Sequence, residues 1–255
     1  MSDGIWNQEV AIAGSGRVLV MTGAGISAES GIPTYRGKGG LWEQIDFEEW
    51  ATRRAFDADR DRIWSWYDER RRAVCEASPN AGHRSIARLA ALAREILVIT
   101  QNVDDLHERA GLPAEQLVHV HGLLLESRCL DCGKQFPARS DDPSRGCEAC
   151  SVGALRPAVV WFDEELPREP VARIESYLSA GECDLVLVVG TTASFDYIRD
   201  WIRRAAGTKG CVVVVDPAES GAVSDLGART IRVREGAAVA LPSLVEAVER
   251  AGRTS

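Results

Sequence analysis

The sequence has 255 residues, a length that suits one large globular domain or one domain with a small insert. Hydrophobic residues make up 45% and charged residues 27% of the chain, a mixture that excludes disordered and fibrous proteins. The formal net charge of -8 disfavours direct binding of nucleic acid, because phosphates would be repelled. No apolar stretch reaches the ~18 residues of a membrane span, and the amino terminus lacks a signal-peptide pattern. We therefore expect a cytoplasmic protein that does not bind membranes.

Strand and helix patterns alternate along the chain. Five continuous apolar runs predict strands at 17–25, 95–102, 116–122, 184–192 and 211–217. Helical patterns lie at 44–58, 60–76, 81–94, 170–180, 195–206 and 238–252. Strands this uniformly apolar are typical of a parallel sheet covered on both faces, so the pattern predicts an α/β fold. The regularity breaks at 123–157, which is rich in Cys, Gly, Asp and Ser and indicates a small inserted module.

A glycine-rich turn follows the first predicted strand. Gly23, Gly25 and Ala28 form a GxGxxA pattern, in which backbone amides and a helix start can receive a pyrophosphate. The alternative is a tight turn in which glycine only permits the bend. The stretch 33–50 is loop-like and then helical, without the acidic-ended strand of hydride-transfer enzymes, and the GK[ST] of P-loop NTPases is missing. Both of those enzyme classes are therefore disfavoured.

Four cysteines in the inserted segment have the spacing of a metal site. Cys129 and Cys132 form one CxxC pair, and Cys147 and Cys150 form a second after 14 intervening residues. Each pair can supply two thiolates to one tetrahedral zinc ion, with a redox role as the alternative. The segment holds no His and no fifth Cys. We therefore expect a closed, structural zinc site.

Two histidines lie on the third predicted strand. His119 and His121 are two residues apart, so both point to one face, with His121 at the strand's end. Ligands of open α/β sheets bind at that carboxyl edge. His121 is therefore the candidate general base, and a structural histidine is the alternative.

Other polar residues permit two interpretations. Gln101, Asn102 and Asp104 follow the second predicted strand, where they can meet a ligand at the same edge or simply cap the next helix. His83 and His107 lie in helical patterns beside Arg and Glu. For these two histidines we expect hydrogen bonding at the surface or behind the site.

Together these segments resemble the sirtuin family of NAD-dependent protein deacylases over about residues 17–245. The matching motifs are GAGISAESGIPTYRG (23–37), TQNVDDLHERAG (100–111), HG (121–122), the four-cysteine module, RPAVVWF (156–162) and VVGTT (188–192). The resemblance implies a Rossmann-like parallel sheet with helices on both faces and a zinc-ribbon-like module at 123–157. It also implies that residues 1–255 form one catalytic unit. A shared fold is, however, weaker evidence for a shared activity than for a shared architecture.

The resemblance further implies which residues bind the co-substrate NAD. Gly23, Ala24 and Gly25 would hold its pyrophosphate, and Tyr35 and Arg36 would belong to a mobile loop over the nicotinamide ribose. The full implied set is Gly23, Ala24, Gly25, Ala28, Tyr35, Arg36, Gln101, Asn102, Asp104, Gly190, Thr191, Thr192, Asp216 and Ala238.

The implied chemistry assigns His121 and Asn102 as catalytic residues. Gln101 and Asn102 would contact the nicotinamide ribose, and Asp104 would bind the carboxamide. In the family's mechanism the acyl-lysine carbonyl oxygen attacks the anomeric carbon of NAD as nicotinamide leaves. The histidine then activates a ribose hydroxyl, and the products are free lysine, nicotinamide and O-acyl-ADP-ribose.

One helix carries a pattern that bears on the acyl group. Tyr67 and Arg70 are three residues apart, so on a helix they share a face and can bind a carboxylate together. This YxxR resembles that of class III sirtuins, which remove succinyl and malonyl groups, and Ala28 matches their enlarged acyl pocket. The alternative is a solvated helix face. By the same resemblance, the substrate peptide would lie at Val160, Trp161 and Phe162.

Three positions depart from the family's pattern. Asp163 stands where the family has Gly, and we expect its charge to favour basic residues flanking the acyl-lysine. Asp216 replaces the usual Asn, and its carboxylate can accept from both ribose hydroxyls while repelling a 2'-phosphate, which predicts NAD over NADP. After Thr192, the stretch ASFDYIRDWI replaces small residues and a proline.

The presence of Asp163 directly after the predicted peptide-binding residues 160–162, a segment we call the altered peptide loop, leaves alternative functions open. One is an NAD-dependent mono-ADP-ribosyltransferase or NAD glycohydrolase, and another is a binding module without turnover. The presence of His121 and Asn102 favours deacylation, because acyl transfer needs the base. We therefore expect acyl-lysine proteins as partners and no direct nucleic-acid ligand, while no pattern indicates an oligomeric state.

Overall fold

The protein is described by a computed structural model that covers residues 6, 8–36, 39–138, 146–218, 226 and 229–253. Six strands form a parallel sheet: β1 (Arg17–Thr22), β2 (Glu95–Thr100), β3 (Leu117–His119), β7 (Leu185–Val189), β8 (Cys211–Val215) and β9 (Thr230–Val233). Their order is β3-β2-β1-β7-β8-β9, so the chain reverses its direction of growth between β1 and β7. Ligands of open α/β sheets bind at such a point.

The central strands alternate between two hydrophobic cores. Val18 and Val20 of β1 pack into one core, and Leu19 and Met21 pack into the other. The first core is covered by α1 (Gln8–Ala13), α7 (Ala81–Leu92) and α11 (Ala237–Gly252), and the second by α9 (Arg168–Ser179) and α10 (Asp196–Ala206). Because both faces are buried, the strands consist almost wholly of apolar residues. The predicted α/β fold with helices on both faces is confirmed.

The remaining helices lie near the carboxyl edge of the sheet or beside it. They are α2 (Gly25–Ala28), α3 (Leu41–Gln44), α4 (Phe47–Trp50), α5 (Arg53–Ala58), α6 (Arg60–Glu76) and α8 (Leu106–Arg109). The prediction of one helix over 44–58 is wrong, because Asp46 and Thr52 cap new helices there. The Asp46 side chain accepts from Glu48 N at 2.9 Å, and Thr52 Oγ1 accepts from Ala55 N at 3.1 Å.

A second, antiparallel sheet lies between β3 and α9 in sequence. Its strands are β4 (Gly122–Cys129), β5 (Gln135–Pro137) and β6 (Leu155–Val159), in the order β5-β4-β6. Gly122 pairs with Val159, so the chain enters and leaves this sheet at one place. Gly122 has φ +78°, and a Cβ there would lie 2.1 Å from the carbonyl oxygen of Ala158, so only glycine fits. Within the described part of the chain, no helix has the length and apolar character needed to cross a membrane.

Candidate active site

The loops that follow β1, β2, β3 and β7 meet at the carboxyl edge of the parallel sheet. Gly25 N donates to Gly190 O at 2.8 Å, and a Cβ on Gly25 would lie 2.6 Å from Gly190 Cα. A Cβ on Gly23 would likewise lie 2.6 Å from the Cβ of Thr191. These glycines are therefore required by the contact between the β1 and β7 loops. That contact brings the predicted pyrophosphate turn beside Gly190 and Thr191.

A cavity of about 250 Å³ opens beside the β1 loop. Ala24, Tyr35, Asn102 and Asp104, four of the residues predicted to contact NAD, line it. The apolar part of its wall comes from Ile32, Pro33, Leu41, Val74 and Leu124. Ala28, by contrast, is exposed at the end of the one-turn helix α2, so the structure does not support its predicted place in an acyl pocket.

Ser27 joins the polar residues of this cavity. Its Oγ donates to Asp104 Oδ2 at 2.9 Å and accepts from Asn102 Nδ2 at 3.0 Å. Asp104 Oδ1 accepts from Leu106 N at 3.2 Å. Burial raises the pKa of Asp104, although these hydrogen bonds oppose the shift. Ser27 was not predicted as a site residue, although it lies two residues after Gly25 in the glycine-rich turn.

His83 and His107 lie behind the cavity and are almost wholly buried, so the structure shows the second of the two expected positions, behind the site rather than at the surface. His83 Nε2 is 3.4 Å from Ser27 Oγ, and His107 Nε2 is 3.1 Å from Thr22 Oγ1. Their rings pack edge to face with centroids 5.1 Å apart. Burial lowers the pKa of His83 to about 4 and lowers that of His107 well below its usual value. Both rings are therefore neutral at pH 7.

His121 lies two residues beyond the end of β3, which is shorter than predicted. Its Nδ1 donates to Gln101 O at 2.9 Å, and its Nε2 lies 2.7 Å from Tyr197 Oη. Burial lowers the pKa of His121 to about 4, although the hydrogen bond to Gln101 O opposes the shift. His121 is therefore a neutral imidazole at pH 7, the form that a general base requires.

His119 has a different environment from His121. Its Nε2 is 2.7 Å from Glu108 Oε1, and its Nδ1 is 3.2 Å from Asn102 O. Burial lowers the pKa of His119, but the hydrogen bond and charge of Glu108, the hydrogen bond to Asn102 O and the charge of Asp104 together outweigh it and raise the pKa. His119 thus supports the backbone of Asn102 from behind the site.

The predicted acyl-binding pair is divided between two environments. Arg70 lines the cavity, where its Nη2 donates to Tyr35 Oη at 2.6 Å and its guanidinium lies 4.6 Å from the centre of the Trp66 ring. Tyr67 is buried, and its Oη accepts from Trp161 Nε1 at 2.9 Å. Arg70 therefore lines the cavity, whereas the hydroxyl group of Tyr67 contacts Trp161 in the predicted peptide-binding segment.

The segment Val160–Phe162 lies next to His121, because Val160 N donates to His121 O at 2.8 Å. Trp161 is buried, and Phe162 is 39% exposed with its ring 4.5 Å from that of Phe47. Buried Arg156 forms an ion pair with Glu164 and lies under the Trp161 ring. This ion pair holds the segment in place.

Asp163 has a structural role besides its predicted position beside the substrate peptide. Its Oδ1 accepts from Arg53 N at 2.8 Å and its Oδ2 from Arg54 N at 3.3 Å. The carboxylate thus lies at the amino-terminal end of α5, where a negative charge is stabilising. Its charge is directed towards the helix amides.

The other predicted NAD contacts lie along the same sheet edge. Gln101 Nε2 donates to Thr191 Oγ1 at 2.9 Å, which ties the β2 and β7 loops together. Thr192 Oγ1 is 2.7 Å from Ser194 Oγ, and the guanidinium of Arg36 lies 5.5 Å from the centre of the Phe195 ring.

Two further predicted contacts lie beyond β8. Asp216 follows this strand directly, and its Oδ1 accepts from Ala218 N at 2.8 Å. Burial raises the pKa of Asp216, although this hydrogen bond opposes the shift. Ala238 N donates to Glu29 Oε2 at 2.8 Å, so its amide is already engaged near the start of α11.

The four predicted zinc ligands lie together at the end of β4 and beyond it, and of the four only Cys129 belongs to a strand. All four Sγ atoms are within 4.8 Å of one another, with Cys129 and Cys150 at 3.8 Å and Cys132 and Cys147 at 3.6 Å. Tetrahedral zinc with Zn–S bonds of ~2.3 Å requires sulfur separations of about 3.8 Å, so the cluster fits this ion. A Cβ on Gly153 would lie 2.2 Å from Cys129 Sγ, so this glycine makes room for the thiolates.

Comparison with other proteins extends over nearly the whole chain. The sequence profile of the Sir2 family matches residues 23–196. The chain is 42% identical over 247 residues to NAD-dependent protein deacylase 2 of Pyrobaculum aerophilum, with 95% of each protein covered. It is 42% identical over 237 residues to the NAD-dependent protein deacylase of Mycobacterium tuberculosis, covering 90% of this chain and 97% of that protein.

Solved structures show the same similarity. A substituted Sir2 homologue in complex with ADP-ribose aligns with a TM-score of 0.87 and 35% identity over 97% of each chain. A Sir2 homologue in complex with NAD aligns with a TM-score of 0.82 and 36% identity, covering 95% of this chain and 93% of that one.

Proposed function

The chain belongs to the Sir2 family, and from this premise we propose that it is an NAD-dependent protein lysine deacylase. Its co-substrates would be NAD, an acyl-lysine protein and water, and its products free lysine, nicotinamide and O-acyl-ADP-ribose. The observation that carries the proposal is a cavity lined by buried Asn102 and Asp104, with His121 hydrogen-bonded to the carbonyl oxygen of Gln101, the residue that precedes Asn102.

The residues present fit the nicotinamide end of NAD. Asp104 offers carboxylate oxygens that can accept from a carboxamide, and Asn102 offers both a donor and an acceptor. The apolar wall of the cavity would keep water from the anomeric carbon while nicotinamide leaves. When bound, NAD supplies the anomeric carbon that the acyl oxygen attacks. His121 would then take a proton from a ribose hydroxyl in the acyl-transfer step.

We also propose that the enzyme accepts acidic acyl groups, including succinyl and malonyl. The support is Arg70, whose guanidinium lines the cavity between the rings of Tyr35 and Trp66. A guanidinium can bind a carboxylate through two parallel hydrogen bonds. Tyr67 would contribute indirectly, by holding Trp161 through its phenol.

The test is mass spectrometry of NAD with matched acetyl-, succinyl- and malonyl-lysine peptides. We expect acyl-dependent nicotinamide release and O-acyl-ADP-ribose from the wild type, and loss of the acyl-transfer product by about 100-fold or more in His121→Tyr. Arg70→Met should reduce turnover of acidic acyl groups about 10-fold or more and leave acetyl turnover nearly unchanged. Arg72→Met, at an exposed position on the same helix, is the matched control.

Other outcomes would change the proposal. Nicotinamide release without deacylated peptide would favour ADP-ribosyl transfer or NAD hydrolysis. The main support for those activities is the altered peptide loop, in which the Asp163 carboxylate accepts hydrogen bonds from the amides of α5. Equal loss of acetyl and succinyl turnover in Arg70→Met would contradict the acidic-acyl specificity.

We expect NAD to bind at least 10-fold more tightly than NADP, because the carboxylate of Asp216 would lie near the 2'-phosphate and repel it. Asp216 stands at the end of β8, on the same sheet edge as the other predicted contacts. Calorimetric titration with both dinucleotides would measure this preference. Asp216→Asn should reduce the difference between the affinities for NAD and NADP. Equal affinities for the two dinucleotides in the wild type would contradict the prediction.

A further inference from the structure

The side chain of the proposed base, His121, is hydrogen-bonded to the hydroxyl group of Tyr197. Tyr197 Oη is 2.7 Å from His121 Nε2, although 76 positions separate the two residues in sequence. Nδ1 of the same ring faces Gln101 O at 2.9 Å, and a carbonyl oxygen can only accept, so Nδ1 carries the ring proton. Nε2 is therefore the acceptor, and Tyr197 donates its O–H to it.

The phenol is held in this position by its neighbours. Tyr197 lies in the first turn of α10, and its ring stacks on Phe195 with centroids 5.4 Å apart and an interplanar angle of 17°. The Trp201 ring packs edge to face against it with centroids 5.2 Å apart. Burial raises the pKa of Tyr197 to about 12, so the phenol remains an O–H donor at pH 7.

We propose that Tyr197 is a further catalytic residue, which relays the proton from the NAD ribose hydroxyl to His121. This inference rests on the proposed deacylation. Because the phenol engages Nε2, a ribose hydroxyl that approaches along this direction meets Tyr197 Oη first. The segment that supplies Tyr197 is the stretch where this sequence departs from the family's pattern.

The proton transfer balances without another reactant. The ribose hydroxyl gives its proton to Tyr197 Oη while the phenol passes its own proton to His121 Nε2. The electron pair left on the ribose oxygen forms the bond to the acyl carbon. His121 becomes an imidazolium ion and Tyr197 is again a neutral phenol. The proton returns from His121 through Tyr197 to the departing lysine amine, and a water molecule then adds to the acyl-bridged ribose to give O-acyl-ADP-ribose.

The relay predicts that only one stage of the reaction slows in Tyr197→Phe. Nicotinamide leaves before the base acts, so exchange of labelled nicotinamide into NAD should stay within about twofold of the wild type. Formation of O-acyl-ADP-ribose in a single turnover should fall about 100-fold, the usual scale for losing a proton-transfer group. Ser194→Ala removes a hydroxyl from the same loop without touching His121 and is the matched control.

A second measurement needs neither NAD nor peptide. The chain has four histidines, so nitrogen spectra of isotope-labelled histidine can be assigned by single substitutions. We expect His121 in the Nδ1–H tautomer, with an Nε2 resonance typical of a hydrogen-bonded acceptor. In Tyr197→Phe this resonance should move towards that of a free imidazole nitrogen, because the O–H donor is gone.

The outcomes separate this inference from the proposed function. If the wild type releases no nicotinamide with any acyl peptide, both fail. If the wild type turns over and Tyr197→Phe forms O-acyl-ADP-ribose as fast or faster, the relay alone is overturned. Equal slowing of exchange and acyl transfer would also overturn it, since that would indicate a general structural defect. An unchanged Nε2 resonance would show that the hydrogen bond does not form.

Discussion

We expect the four-cysteine cluster to hold a structural zinc ion, whose removal should unfold the antiparallel sheet and abolish turnover. Without the ion, the Sγ atoms of four cysteines would lie within 4.8 Å of one another in a segment with few apolar residues. Two of these cysteines, Cys129 and Cys147, are buried. Structural zinc contributes on the order of 10 kcal/mol to such small modules. The loss should reach the active site, because Val160 at the end of this sheet binds the backbone of His121.

Chelation followed by metal analysis, thermal unfolding and deacylation assays would test this prediction. Cys129→Ser should lower the melting temperature and bind less zinc, whereas Cys75→Ser should not, because Cys75 is exposed and lies outside the cluster. Retained activity and an unchanged melting temperature after verified metal removal would refute a structural role for zinc.

Acid is expected to destabilise the protein steeply between about pH 6.5 and 4. His83 and His121 have pKa values near 4 in the folded protein, and His107 is also lowered from 6.5. The unfolded chain therefore binds more protons than the folded chain in this window, and stability falls as the pH falls. Each histidine contributes a slope of about 1.4 kcal/mol per pH unit, or roughly 4 kcal/mol per unit for all three. The raised pKa of Asp104 offsets part of this near pH 4.

Denaturant unfolding at several pH values would measure this slope. His83→Gln keeps a side chain that can accept a hydrogen bond from Asn80 N but removes one titrating group. The free energy of unfolding of this variant should therefore depend less steeply on pH, by about 1.4 kcal/mol per pH unit. Zinc is also lost in acid, so the difference between the variant and the wild type is the quantity to compare. His119→Gln is the matched control. The raised pKa of His119 gives stability below pH 6.5 that is lost at higher pH, so its removal should leave the acid slope unchanged.

The sequence predicted the centre of the fold well because the strands there are buried on both faces. β1, β2, β7 and β8 each coincide with an apolar run, and the polar residues that end these runs lie at the shared sheet edge. On this ground His121 could be placed at the same sheet edge as the residues that follow β2, although not next to them. The burial of His83 also had a signal, since it lies three residues before Ile86 on the apolar stripe of α7.

Features that depend on distant contacts could not be predicted. The hydrogen bond between Tyr197 and His121 joins two loops with no local pattern that links them. The division of Tyr67 from Arg70 depends on Trp161, which is 94 positions from Tyr67 in sequence. The strands of the inserted sheet have little apolar periodicity, although Leu124, Leu155 and Val159 pack in a hydrophobic cluster that is completed by residues distant in sequence, such as Tyr67.

The paired position at Gly122 and Val159 has a consequence for the evolution of this protein. Because the chain leaves and rejoins the main body at adjacent residues, the insert contributes no strand to the parallel sheet. Its distal turns can therefore lengthen, shorten or be exchanged between relatives without rethreading the domain. The residues at the junction cannot change as freely, because Val160 N donates a hydrogen bond to the backbone of His121, the proposed catalytic base. Sequence divergence should accordingly rise with distance from this junction.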